Sequence, residues 1–197
     1  MKKKSRALTD GEIAIAKTIF GDQLDYKKIR IKNRRIPGQP KSGGMCTMNT
    51  INISGPAYSD DYSKQNLNLR GFFIHEMTHI WQYQDNAMNL TKNFLKAITK
   101  HHVNYMRDAY DYEFEKTKQF KNFNHEQQAC IVQDYYVLKN LPKPTSIPSF
   151  RYSGRCQNLN ICENTLAERA EHILRPVFKN LNPKTPPKTL KTTPPKR

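Results

Sequence analysis

Between Leu67 and Gln84 the chain runs through an apolar segment that carries His75-Glu76-Met77-Thr78-His79 near its centre. The segment predicts a helix, and four-residue spacing puts His75 and His79 on one face of it. Two imidazole nitrogens then converge where one Zn²⁺ can take both, and Glu76, beside the first of them, is placed to act as general base toward a water. Such an arrangement points to metal-assisted hydrolysis, most often of a peptide bond. Three fixed positions alone are weak evidence, since a His-Glu pair on a helix is commonly a solvated face. The surroundings strengthen it. Leu69, Phe73, Met77, Ile80 and Trp81 recur at three- to four-residue spacing as a core stripe, with His75, Glu76 and His79 pointing away from it. Phe72, Phe73 and Ile74 before the motif, and Ile80 and Trp81 after it, predict a buried helix. Buried histidines and a buried glutamate need partners, and a metal ion provides them.

A peptidase zinc site takes a third protein ligand and leaves a fourth position to water. The best candidate is Glu126, in Asn124-His125-Glu126-Gln127-Gln128-Ala129-Cys130 and the apolar run after it. This stretch reads as a second helix, with Asn124 as its cap and Gln127 at the capping-box position. Glu126, Cys130 and Asp134 share a face, and Asp134 is placed to orient a ligand histidine. The competing reading of Glu126 is a surface acid favoured in a first helical turn by the helix dipole. Among other candidate ligands, His125 would point elsewhere on the helix, His101 and His102 follow a lysine-bearing segment, and Cys130 reads as a small core residue.

The rest of the chain reads as α+β. Thr9 or Asp10 can cap a helix through Phe20, which Gly21 stops. Residues 28–34 alternate, with Ile29 and Ile31 facing one way and Arg30, Lys32 and Arg34 the other, as a half-buried strand does. A Pro/Gly loop over 36–44 precedes a hairpin or bent strand over 45–53, turning near Asn49-Thr50. A further helix is expected over 90–102, a strand over 110–114 and a closing helix over 164–174. Tyr110, Tyr112 and Tyr135 are the tyrosines placed to serve a reaction, each more simply read as core.

The segment Phe73–Gln82 resembles a bacterial type VI secretion family: metallopeptidase effectors that extend VgrG spike proteins or stand alone as Vgr-related proteins. Leu8–Ala14, Ile19–Asp22, Asp25-Tyr26, Ile29–Ile31 and Glu126–Ala129 with Asp134-Tyr135 agree with it, so the likeness spans residues 8–140. It implies a zincin fold, a small twisted sheet packed on an active-site helix and a second ligand-bearing helix. It also implies Zn²⁺ on His75, His79 and Glu126, with Glu76 as catalytic base. Toxicity to competing bacteria follows, by hydrolysis in the target cell's periplasm of an envelope protein or peptidoglycan peptide. The partners it implies are a protein or peptide substrate, a cognate immunity protein, and a secretion spike or chaperone.

At 197 residues there is room for a single core. The formal charge is +16, but four of the basic residues lie in residues 1–8 and six in 176–197, with no acid in either stretch. The expected organisation is a basic lead over 1–8, a domain over 9–175, and a Pro/Lys-rich tail over 176–197 too poor in apolar residues to form a core. Lys2–Lys4 lack the apolar run of a secretory signal, and no stretch approaches the length of a membrane-spanning helix. A protein made in the cytoplasm that leaves through a secretion machine fits both. Four cysteines permit three full pairings, and the sequence does not choose between them; Cys156 and Cys162 are close enough to pair after export, which would leave Cys46 and Cys130 as thiols. Two other readings compete. A SprT-like protease of DNA-bound proteins shares His-Glu-Met-x-His but calls for a third histidine downstream. A non-enzymatic nucleic-acid module would use the basic strand 28–35 and both ends; solubility explains those charges more simply, so nucleic acid is not expected as a partner.

Overall fold

Thr9 and Glu12 begin the first helix as a capping box: the Thr9 side chain accepts from the Glu12 N–H, and the Glu12 carboxylate accepts from the Thr9 N–H. That helix, α1, runs Asp10–Phe20, and Gly21 ends it at φ 55°, a left-handed value natural to glycine. Glu12 is fully buried. It also takes a two-pronged ion pair from Arg6, at 2.8 Å on each prong, and a hydrogen bond from the Tyr62 N–H at 2.9 Å. One carboxylate thus ties the N-terminal strand, α1 and the loop before the central helix together.

The computed structural model describes residues 5–39, 41–85, 110–113, 118–141 and 163–181. Among these, four α-helices and a four-stranded mixed sheet form an α+β fold. The strands are β1 (Ser5–Arg6), β2 (Arg30–Asn33), β3 (Gly43–Thr47) and β4 (Thr50–Ser54). Their order is β1-β2-β4-β3. β1 pairs antiparallel with β2, β2 runs parallel to β4, and β3 and β4 form an antiparallel hairpin. The hairpin turns at Met48-Asn49, where Met48 takes φ 53°. The expected alternation holds around β2: Ile29 and Ile31 are buried while Arg30 is exposed. Gly43 and Gly44, expected in the loop, belong to β3.

The central helix α2 covers Leu67–Gln84, capped by Asn66, whose side chain accepts from the Leu69 N–H. It lies against β3 and β4 on one side and against α3 (His125–Lys139) on the other, and α3 packs in turn on α4 (Glu163–Leu174). Because it is sandwiched, α2 is buried on nearly every side. His75 and Glu76 do not face away from the core as the stripe pattern suggested; they are enclosed. Gly71 permits the close approach of α2 and α3, since a Cβ there would meet Val137 Cγ2 at 2.7 Å. Ile29, Ile31, Ile51 and Ile53 of the sheet region share one core with Phe73, Ile74, Met77 and Ile80 of α2 and Ile131 and Val132 of α3.

Both expected boundaries move. Residues 5–8 are not a loose lead, because Ser5 and Arg6 pair with Lys32 and Ile31, and Leu8 is buried. The chain also stays packed beyond Arg175. Phe178 is fully buried, with its ring 5.4 Å from Phe20 and 4.9 Å from Trp81. Apolar content averaged over a Pro/Lys-rich tail hides one aromatic that finds a pocket. Residues 182–197 lie outside the described residues, as do the helix expected over 90–102, His101, His102, Cys156 and Cys162. Of the strand expected over 110–114, Tyr112 makes a single bridge. No helix among the described residues is long and apolar enough to cross a membrane.

Candidate metal centre

α2 presents His75 and His79 one turn apart, and α3 presents Glu126 from its first turn across the helix-helix interface. Their ligand-type atoms form a near-equilateral triangle. His75 Nε2 and His79 Nε2 are 3.3 Å apart, and Glu126 Oε2 is 3.4 Å from the first and 3.3 Å from the second. Three ligands of a tetrahedral ion with bonds of about 2.0–2.1 Å lie about 3.3–3.4 Å from one another. Glu126 Oε2 is buried and is met there by the imidazoles of His75 and His79. A buried carboxylate calls for positive charge beside it, which a metal ion or a protonated His79 can supply. Two imidazoles and one carboxylate are a donor set of hydrolytic zinc sites, and among the described residues these three form a group that could hold a metal ion.

Without a metal, protons balance the charge. Burial alone would lower the His79 pKa, but the charge and hydrogen bond of Glu126, with Glu76 and Gln82, outweigh it and hold it up to about 9. Burial alone would raise the Glu126 carboxyl, but His79 and His75 outweigh it and hold it well below the carboxylate range. A proton on His79 thus does in the metal-free protein what a metal ion would do at the same place.

Gln82 organises the second half of the site. Its Nε2 donates to the His125 carbonyl and to Gln128 Oε1, both at 2.9 Å, so its Oε1 is left to accept from His79 Nδ1, also at 2.9 Å. In the neutral imidazole that bond favours the proton on Nδ1 and leaves the Nε2 lone pair for an ion. Asp134 does not take the orienting role expected of it. It accepts the Tyr112 hydroxyl at 2.7 Å, while His75 Nδ1 has no hydrogen-bond partner among the described residues. Gln82 lies three residues past His79, on the same face, and that spacing was the signal available for it.

Three further residues reach the site. Tyr110 stacks on His75, with centroids 6.2 Å apart and planes 23° apart. Burial first, then the charges of Glu126 and Glu76, push its hydroxyl pKa up, so it remains a hydrogen-bond donor. Tyr135 instead bonds Glu171 at 3.2 Å. His125 does not point elsewhere: its Nε2 is 3.5 Å from Glu126 Oε1 and its ring is 6.1 Å from that of His79. Cys46 of β3 places its Sγ 3.3 Å from Glu76 Oε2. Cys130, weighed as a ligand, is buried within α3.

Over 158 residues, 78% of its length, the chain is 37% identical to the type VI secretion system spike protein VgrG2b of Pseudomonas aeruginosa, of which it spans 15%. The solved effector domain of that protein superposes with a TM-score of 0.60 at 37% identity, over 68% of this chain and 75% of the domain. The chain belongs to the VgrG2b effector-domain family. This is an effector family of type VI secretion, as the resemblance in Phe73–Gln82 implied. No family model matches the chain. The chain thus spans a small part of the spike protein's length and three quarters of its solved effector domain.

Proposed function

We propose that this protein is a zinc metallopeptidase of zincin type and an antibacterial type VI effector. The observation that carries the reading is the triangle of His75 Nε2, His79 Nε2 and Glu126 Oε2, with Glu76 between the two histidines in sequence and buried beside them. When bound there, zinc supplies Lewis acidity toward a carbonyl and a water. His75, His79 and Glu126 hold the ion, and Gln82 keeps His79 in the tautomer that can bind it. Glu76 takes the proton of the attacking water and passes it to the leaving amine. The hydroxyl of Tyr110, kept protonated, donates toward negative charge developing at the triad. β3 is the outer strand of the sheet and runs beside Glu76, so an extended peptide can pair with it there.

The relatives support delivery with a type VI spike; beyond them, the proposal places the action in the periplasm of a target bacterium on an envelope protein or peptidoglycan peptide, with a cognate immunity protein covering the cleft in the producer. Elemental analysis of the purified chain tests the metal, with about one equivalent of zinc expected and less than half an equivalent after remetallation counting against the site. Glu76→Ala is expected to keep zinc and lose activity, and His79→Ala to lose both. Expression with an export signal beside a cytoplasmic copy tests the compartment. Toxicity confined to the cytoplasmic copy would refute periplasmic action.

A further inference from the structure

Glu76 is held from outside its own helix. Its carboxyl group lies against β3, where two residues meet it from one face of the strand. A Cβ built on Gly44 would overlap the Glu76 carboxyl group, so the missing side chain at 44 is the space that the carboxylate occupies. Gly44 carries no left-handed φ, so its backbone does not call for glycine; the carboxylate does. Two residues on, and therefore on the same face of the strand, Cys46 Sγ stands 3.3 Å from Glu76 Oε2 and 3.2 Å from the Glu76 carbonyl oxygen. The thiol has one proton for these two acceptors, and an ionised carboxylate is the stronger of them.

We infer that Gly44 and Cys46 form a socket on β3 that fixes the Glu76 carboxylate in place, with Cys46 acting as a positioning residue through its S–H donor. Two other roles for this cysteine fit less well. A metal ligand or a redox-sensing thiol works as thiolate, and burial, with the neighbouring Glu76 charge, pushes the Cys46 thiol well above its ordinary pKa. A thiol that stays protonated can only donate. The functional consequence rests on the peptidase reading: a general base must stand within hydrogen-bond reach of the proton that it takes, and a side chain with three rotatable bonds needs an external hold to stay there.

Double-mutant cycles on the full chain test the socket without relying on activity. Gly44→Ala, Cys46→Ala and Cys46→Ser are each made in the native background and with Glu76→Ala, and Tm and zinc content are measured for all. Gly44→Ala is expected to lower Tm by several degrees alone and by clearly less beside Glu76→Ala, which vacates the space. Cys46→Ala is expected to lower Tm by about 2–4 °C alone, the effect of one hydrogen bond in a protein of this size. It should cost less with Glu76→Ala, and Cys46→Ser should recover part of the loss. Zinc content should not change. If Gly44→Ala alone fails to fold, recovery of the fold in the double variant gives the same result; failure of both overturns the inference. Equal Tm losses in the two backgrounds also overturn it, since they would make Gly44 and Cys46 ordinary packing residues. A native chain without zinc or toxicity would sink the peptidase reading and leave the cycle's answer about the socket standing.

Discussion

Gln82 accepts from His79 Nδ1 with one end of its amide and donates to the His125 carbonyl and Gln128 Oε1 with the other. A single side chain therefore sets the tautomer of one metal-ligand candidate and fastens its helix to the helix that carries Glu126. Replacing Gln82 with Leu should leave α2 and α3 folded but weaken zinc binding by about 10–100-fold. Competition with a chromogenic chelator reads this directly. Unchanged affinity would remove Gln82 from the site.

The interface between the two helices depends on Gly71. Its missing Cβ lets Val137 Cγ2 approach, and Ala at 71 would force the helices apart. Gly71→Ala should destabilise the protein by about 1–3 kcal/mol in denaturant unfolding, the usual cost of overpacking. Val137→Ala in the same chain should restore part of that loss by making room. Glu126 rides on the same interface, so the single variant should also bind zinc less well.

Metal and proton compete for His79. Its pKa in the folded metal-free protein, about 9, lies above its ordinary 6.5. Its contribution to stability is therefore complete below about pH 6.5 and lost as pH rises through about 9. Glu126 has the opposite sign: its depressed pKa contributes above its ordinary value of 4.5 and is lost toward acid. The metal-free protein should thus lose stability between pH 6.5 and 9. Zinc binding at pH 7 should release about one proton, seen by titration calorimetry in buffers of different ionisation heat. Its apparent affinity should rise about tenfold per pH unit until His79 is neutral.

The packed chain continues past Arg175 at least to Leu181. Phe178 fills a pocket between Phe20, Trp81 and Phe120. Ending the chain at Arg175 should destabilise it strongly, and Phe178→Ala alone should cost about 3–5 kcal/mol in thermal or denaturant unfolding. Ending it after Leu181 should leave stability and zinc content unchanged, because residues 182–197 combine prolines and lysines with few apolar groups.

What the sequence alone determined is local. The helix read over Leu67–Gln84 is α2 to the residue, and Asn124 with Gln127 forms the capping box that starts α3. Helix ends and faces follow from contacts three or four residues apart, and those are legible in a string of residues. The pairing of His75 with His79 belongs to the same class, since both lie on one helix face. Their meeting with Glu126 was legible only as chemistry: an acid was needed, and one stood at a helix start. Tertiary structure decided the rest. It brought His125 back toward Glu126, turned Asp134 to Tyr112, laid Tyr110 on His75, and set Gly44 and Cys46 against Glu76. It also packed Arg6 on Glu12 and Phe178 under Trp81, moving both ends of the expected domain. Each of these contacts joins residues whose side-chain directions depend on how α2, α3 and the sheet pack, and packing is a property of the whole core that no short window of sequence contains.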